Sequence, residues 1–313
     1  MSLLSTEIAE IPEAAARLGA DGVAGAVSTL RALQPSLLAT VARGSSDHAA
    51  TCLAYACGTM SGVIPASYPP SLASIEGQVP RATGQVALAI SQSGQSTDIV
   101  AAARALHDAG AALVVLTNSP DSPLGRTGGH VIDIAAGPER AVAATKSFVN
   151  SILAGMWLLA GWHGDRKLAA ALERMPEALD RALGTRATAL HDSLAREGRL
   201  MVLGRGASLG IASEIALKAM ELTGLPAMAY STAEVRHGPM QILRDRHPVL
   251  DLTRGVDLPD IALIDMPRQA PLHPLLDPLL DLVPAYAALE AAARDRGLDP
   301  DAPDRLKKET VTL

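Results

Sequence analysis

Within EIALKAMELTG, the residues Glu214, Lys218 and Glu221 stand four and three positions apart, so a helix through them stacks all three on one face. The downstream STAEVRHGPM adds an imidazole, His237, in a Gly-Pro turn. A carboxylate, a lysine and a histidine brought together would serve proton transfer beside a carbonyl. The simpler alternative is a solvated ion-pair stripe on a surface helix. Against it stand the neighbours, because Ile215, Ala216, Ala219, Met220 and Leu222 fill the opposite positions.

A different chemistry is written in SQSGQST, Ser91 to Thr97, which sits between an apolar run and a helical pattern. A Ser/Gly/Thr loop that leaves the carboxyl end of a strand and opens a helix sets backbone N–H groups, hydroxyls and the positive helix end around one point. That arrangement suits a phosphate. A plain N-cap followed by a polar turn is the alternative. The loop is not GxxxxGK[ST] and lacks three spaced glycines, which disfavours a nucleotide. RGSSDHAA, Arg43 to Ala50, is a second loop of this kind, and two such loops from neighbouring βα units would flank one crevice. His48 in it reads as a helix-start residue. AGPERAVAATKSF, Ala136 to Phe148, reads on its own as a helix entry with Thr145 and Lys146 in the first turn. Lys307 and Lys308 in DRLKKETVTL read on their own as a solvated pair in a tail.

The elements that must hold these residues follow from the apolar pattern. Runs at Leu37 to Ala42, Val86 to Ile90, Leu113 to Thr117 and Val131 to Ala136 predict strands, and helical patterns between them predict parallel crossovers with the sheet covered on both faces. A long helix is expected from Thr145 to about Gly161. RLMVLGRGASLGIASEIALKAMELTG restarts the strand, Gly/Ser turn and helix order from Leu200, as if the chain were duplicated. PVLDLT (Pro248 to Thr253) and IALIDM (Ile261 to Met266) look like successive strands, yet the residues between them are too few for a parallel crossover. The expected fold is therefore α/β, with two doubly wound parallel-sheet domains. Its parts are an N-terminal helical region over 1–35, a first domain over 36–165, a helical connector over 166–198, a second domain over 199–300 and a tail over 301–313.

Composition removes several function classes. The 313 residues carry a net charge of −6 and no basic stripe, which argues against a nucleic-acid partner. No run of about 18 apolar residues suggests a membrane span, and MSLLSTEIAEIPEAAARLGA has neither a basic start nor a continuous apolar stretch. Cys52 and Cys57 lie in an apolar segment without histidines at zinc spacing. They read as buried thiols, which fits a reducing cytoplasm, and no metal or other cofactor is expected. Aromatic residues make up 2% of the chain, so the core must rest on Ala, Leu, Val, Ile and Met.

Taken in order, Gly44 to Ser46, SQSGQS, AGPERAVAATKSF, the run GRGASLGIASEIALKAMELTGLPAMAYSTAEVRHGPM and LKKETVTL resemble the double sugar-isomerase (SIS) proteins. Nearest in pattern are the isomerase half of glucosamine-6-phosphate synthase and the stand-alone amino-sugar-phosphate deaminases. The resemblance covers nearly the whole chain. It implies that Ser91, Gln92, Ser93 and Ser96 hold a sugar phosphate, with Ser45 and Ser46 in the same pocket and Val142 and Ala144 in a segment facing the sugar. It implies that Glu221 moves a proton between carbons 1 and 2, with Lys218 beside it. His237 is implied in ring opening, contributed by a partner subunit of a homodimer. Lys308 matches the lysine that forms an imine with the ketose.

Two departures bear on the reaction expected. No segment matches a glutaminase domain, so hydrolytic release of ammonia from glucosamine 6-phosphate is the expected direction. Ala144 stands where the synthase pattern has a serine, which leaves galactosamine 6-phosphate, a fructosamine 6-phosphate or plain aldose–ketose isomerisation as alternatives. SIS domains also sense phosphosugars within transcriptional regulators. The residues before Leu37 are too few and too acidic for the helix-turn-helix such a regulator carries.

Overall fold

The computed structural model describes residues 1–308 except 244–246, 254, 256, 257, 259, 260 and 262. In chain order the elements are α1 (Leu3–Ala9), α2 (Ile11–Ala15), α3 (Ala24–Leu33), β1 (Leu37–Val41), α4 (Ser45–Ser61), β2 (Ile64–Ser67), α5 (Ser71–Ser74), β3 (Val86–Ile90), α6 (Thr97–Asp108), β4 (Ala112–Thr117), β5 (His130–Asp133) and α7 (Lys146–His163). There follow α8 (Arg166–Glu173), α9 (Met175–Leu183), α10 (Thr188–Arg196), β6 (Leu200–Gly204), α11 (Ser208–Thr223), β7 (Ala227–Ser231), β8 (Val249–Asp251) and α12 (Asp277–Asp295). They form two compact units. One holds Glu13–Pro138 and Lys146–Arg174, and the other holds Met1–Pro12, Glu139–Thr145 and Met175–Lys308. The division falls between α8 and α9, inside the stretch expected as a connector.

The first unit is built on a parallel five-stranded sheet in the order β2-β1-β3-β4-β5. β3 is buried at every residue, as a strand covered on both faces must be. Its alternate residues serve two layers. Ala87 and Ala89 pack with Ile99, Ala102, Ala103 and Leu106 of α6, while Val86 and Leu88 line a contact with Leu30 of α3, Leu53 of α4 and Leu158 of α7. The layer beneath α6 is largely alanine, which is how a chain poor in aromatics still brings helix and sheet into contact. Cys52 and Cys57 are buried thiols in α4 with no disulfide to either, and burial pushes the Cys57 thiol up against a smaller downward pull from Ser61.

The second unit has a three-stranded parallel sheet, β7-β6-β8, with α9, α10, α11 and α12 packed in the same unit and α1 against α12. β6 (LMVLG) is buried throughout and is the central strand. The expected strand Ile261 to Met266 includes position 262, outside the described residues; among the described ones its contribution is one parallel bridge, Leu263 to Val249, beside a β8 of three residues. The segment in which a crossover was missing, about 253–261, lies partly outside the described residues. The edge strands β2 and β7 and the helix α12 had no counterpart in the sequence reading. β2 pairs on one side only, with β1. Pro65 within it offers no N–H, so it carries the composition of a loop. Among the described residues no helix is long and apolar enough to cross a membrane.

Candidate active site

In the first unit β1 and β3 are adjacent and in parallel register, so the loops that follow them emerge side by side at the sheet's carboxyl edge. The Ser91–Ser96 loop is braced from within. Ser91 Oγ accepts the N–H of Gly94 at 3.1 Å, Ser93 Oγ accepts that of Gln95 at 3.3 Å, and the Gln92 carbonyl accepts that of Asn118. Ser96 occupies the N-cap position of α6 with no side-chain capping bond. The capping bond of the simpler alternative is thus not formed, whereas its polar turn is, through Ser91 and Ser93; Ser93 and Ser96 are half-buried. In the neighbouring loop Ser45 and Ser46 occupy the first turn of α4 behind Gly44, whose φ is +54°. Arg43 Nε donates to Asp98 Oδ2 at 3.0 Å and staples the two loops together, a contact no motif announced. Burial raises the Asp47 carboxyl in the same turn, opposed by His48 and Arg43.

Gly94 sets the shape of this cradle. Its φ is +63°, and a Cβ there would lie 2.6 Å from Ser122 Cβ and 3.3 Å from Thr117 Oγ1. Gly94→Ala therefore meets both left-handed strain and a collision, together costing roughly 1–3 kcal/mol. The expected outcome is a lowered thermal midpoint, with the loss exceeding that of a Gly84→Ala control at a positive-φ site open to space.

In the second unit the site helix α11 starts from a tight turn. Gly204 ends β6 so close to the first turn of α11 that a Cβ would stand 2.6 Å from the Ser208 carbonyl oxygen, and Ser208 Oγ accepts the N–H of Arg205 at 2.9 Å. The helix then carries Glu214, Lys218 and Glu221 inward. Lys218 is 1% exposed and Glu214 0%, with Glu221 at 20%, so the solvated-stripe alternative is overturned. Lys218 Nζ donates to Glu221 Oε2 at 2.6 Å and lies 3.2 Å from Glu214 Oε1. Burial alone would depress the ammonium, but Glu214 and then Glu221 outweigh it and its pKa lies above the ordinary lysine value. Tyr286 of α12, fully buried, donates its hydroxyl to Glu214 Oε1 at 3.3 Å. Burial first, then Glu214, Glu139 and Glu221, hold that phenol well above its usual range, so it stays a donor. Glu221 is the one member of this array that opens outward. Its Oε2 is fixed by Lys218 while Oε1 receives no hydrogen bond from any described residue.

Lys308 belongs to this same unit. Its Nζ donates to the Ala141 carbonyl at 2.8 Å and to Glu139 Oε2 at 3.3 Å. Glu139 is buried and also accepts the N–H of Thr145 at 3.0 Å. The solvated-tail alternative is thus not realised for Lys308, while Lys307 is exposed. Val142 and Ala144 are half-buried in the Glu139–Thr145 strip, where the Val142 N–H donates to the Asp301 carbonyl. His237 ends an exposed 3-10 turn, Glu234–His237, and makes no hydrogen bond to Glu214, Lys218 or Glu221. The structure does not bring it to the α11 array. Glu139, Tyr286 and Asp301 went unremarked in the sequence because each acts through partners more than a hundred positions away or through a helix that carried no motif.

Two parallel α/β units, each turning from a strand through a Gly/Ser loop into a helix, define a duplicated, doubly wound α/β protein. The chain belongs to the SIS domain family, whose model matches residues 36–161 and 193–259. It is 29% identical over 272 residues to the glutamine–fructose-6-phosphate aminotransferase (isomerizing) of Sulfurisphaera tokodaii, and 32% identical over 265 residues to that of Pyrobaculum aerophilum. Those alignments take in 78% and 73% of this chain but 45% and 44% of the relatives, so the chain spans under half their length. Among solved structures, a candidate phosphosugar isomerase from Silicibacter pomeroyi matches with a TM-score of 0.89 and 41% identity over 96% of this chain and 100% of that one. Glucosamine-6-phosphate deaminase from Thermotoga maritima shares the fold, with a TM-score of 0.80 at 20% identity over 99% and 100% of the two chains.

Proposed function

We propose that the chain acts as an amino-sugar-phosphate deaminase and isomerase, converting glucosamine 6-phosphate and water to fructose 6-phosphate and ammonia. The observation that carries this reading is the fully buried Lys218 clamped between Glu214 and Glu221, with Glu221 alone reaching outward. A carboxylate oriented by a charged donor and left one open oxygen is equipped to take a proton from carbon 2 of the open sugar and return it to carbon 1. With a second proton passing from the nitrogen to O1, that transfer turns the 2-amino aldose into the 2-imine of the ketose. Water then adds across the C=N bond and ammonia departs, which leaves the ketose. The phosphate handle falls to Ser91, Gln92, Ser93 and Ser96 with Ser45 and Ser46, through hydroxyls and helix-start N–H groups. The relatives named above, which act on fructose 6-phosphate or are named as a deaminase, support this substrate class.

Lys308 is assigned to the ketose carbonyl and His237 to ring opening. The exposure of His237, which makes no hydrogen bond to the α11 array, supports its service to the site of a second subunit in a homodimer. A second reading, aldose–ketose isomerisation without deamination, is favoured by the 41% identity to the Silicibacter protein. A panel of glucosamine 6-phosphate, galactosamine 6-phosphate, a fructosamine 6-phosphate and the neutral hexose 6-phosphates separates the two. Stoichiometric ammonia with fructose 6-phosphate is the result expected. Interconversion of aldose and ketose with no ammonia from any amino sugar would replace the deaminase reading with the isomerase one.

A further inference from the structure

The N-terminal helix has no part in the chemistry just described, yet its polar groups converge on the segment that holds Lys308. Glu7 is 3% exposed, an unusual place for a carboxylate unless it is paired. Its two oxygens accept the N–H groups of Arg140 and Ala141 in succession. Ala141 is the residue whose carbonyl takes the Lys308 amine, and Arg140 follows Glu139, the other partner of that amine. At its start α1 is tied to the tail. The N–H groups of Leu3 and Leu4 donate to the two carboxylate oxygens of Asp301 at 2.9 and 2.7 Å, and Ser2 Oγ donates to Glu290 Oε1 at 2.7 Å. Asp301 also accepts the Val142 N–H through its carbonyl. One short helix therefore grips both the strip that receives Lys308 and the tail that delivers it, all within one compact unit.

We infer that α1 is a clasp that positions Lys308, with Glu7 as the positioning residue. A backbone carbonyl can aim an amine only if its own peptide is immobile. The Ala141 carbonyl shares its peptide with the Val142 N–H, which the Asp301 carbonyl holds, while Glu7 holds the peptide just before it through the Ala141 N–H; Glu7 and the Asp301 that α1 binds thus fix Ala141 from both sides, and displacements of about 1 Å in a reacting group can lower a rate by roughly 100-fold. Glu139 to Thr145 and Val142 to Asp301 brace the strip as well. Glu7 holds it at the two residues between Glu139 and Val142. The inference rests on the reading that Lys308 serves the reaction, and its test keeps the two separable.

The experiment compares wild type with Glu7→Gln, Glu7→Asp and Asp301→Ala. Lys308 and Lys307 are labelled with acetic anhydride and quantified by peptide mass spectrometry, with the exposed Lys307 as internal reference. Turnover and KM for glucosamine 6-phosphate and the thermal midpoint are measured on the same samples. The expected result is a Lys308-to-Lys307 labelling ratio raised severalfold in Glu7→Gln and in Asp301→Ala, partly restored in Glu7→Asp. With it, kcat falls roughly 10-fold to 100-fold while KM stays put. An unchanged ratio in folded Glu7→Gln and Asp301→Ala overturns the clasp. So does an equal loss of kcat in variants whose Lys308 stays protected. Lys308→Ala is the separate control. If it retains full turnover while the ratio in Glu7→Gln rises, the clasp stands and the catalytic role of Lys308 falls.

Discussion

Glu221→Gln should bind glucosamine 6-phosphate as well as the wild type and turn it over roughly 100-fold to 10,000-fold more slowly, the usual span for removing a positioned general base. Gln keeps the shape of the side chain and an oxygen for the Lys218 ammonium, so the 2.6 Å contact has a successor. What is lost is the basic oxygen that faces outward from α11. The discriminating measurement is exchange of the carbon-2 hydrogen with deuterated solvent, followed by NMR. Exchange and ammonia release should fall together, with the phosphate affinity unchanged by calorimetry because that term is assigned to the hydroxyl loops. Turnover equal to wild type would remove Glu221 from its assigned role and would leave the array as a purely structural ion cluster.

Lys218→Met should be the most damaging substitution for stability, costing about 3–5 kcal/mol at neutral pH, the expected loss when one partner is removed from a buried ionic cluster. Lys218 is fully buried, and methionine fills most of its volume, so the loss reports charge rather than a cavity. The pH dependence gives the sign. The Lys218 pKa is raised in the folded protein, with burial opposing and Glu214 and Glu221 prevailing. Its contribution is therefore complete below the unfolded lysine value of about 10.4 and disappears as pH rises through the higher folded value. Urea unfolding should show the deficit of the variant holding from neutral pH up to the ordinary lysine value and shrinking as pH rises beyond it. A deficit that stays unchanged as pH rises past that value would mean that the Lys218 charge is not what stabilises the folded state.

How much of this was readable beforehand differs from element to element. The strands Leu37–Val41, Val86–Ile90 and Leu200–Gly204 were readable because a strand buried on both faces is a continuous apolar run, and the helices after them because Gly/Ser turns mark their starts. β2 was not, since an edge strand with Pro65 looks like a loop. The Ile261–Met266 run looked like a strand and, among the described residues, forms a single bridge; its Leu263 is exposed, so apolar composition alone was no guide to a buried strand there. The helical spacing put Glu214, Lys218 and Glu221 on one face, but spacing is indifferent to what covers that face. Only the packing of α12 across α11 sets a fully buried tyrosine beside Glu214 and makes the stripe an interior array.

The sequence by itself determined the order of the elements, the hydroxyl loops at Ser45 and Ser91, the membership of a helical Glu-Lys-Glu stripe and the family to which these motifs belong. Each of these is local, set by the period of apolar residues and by the turn chemistry of a few neighbours. The tertiary structure alone decided that the stripe is dry, that Lys308 is held by Glu139 and Ala141 rather than solvated, that Arg43 staples the two hydroxyl loops, and that Glu7 reaches Arg140 and Ala141. These contacts join residues from 55 to more than 160 positions apart. The energy of a charged group depends on what excludes water from it, and that is settled only when distant segments close around it.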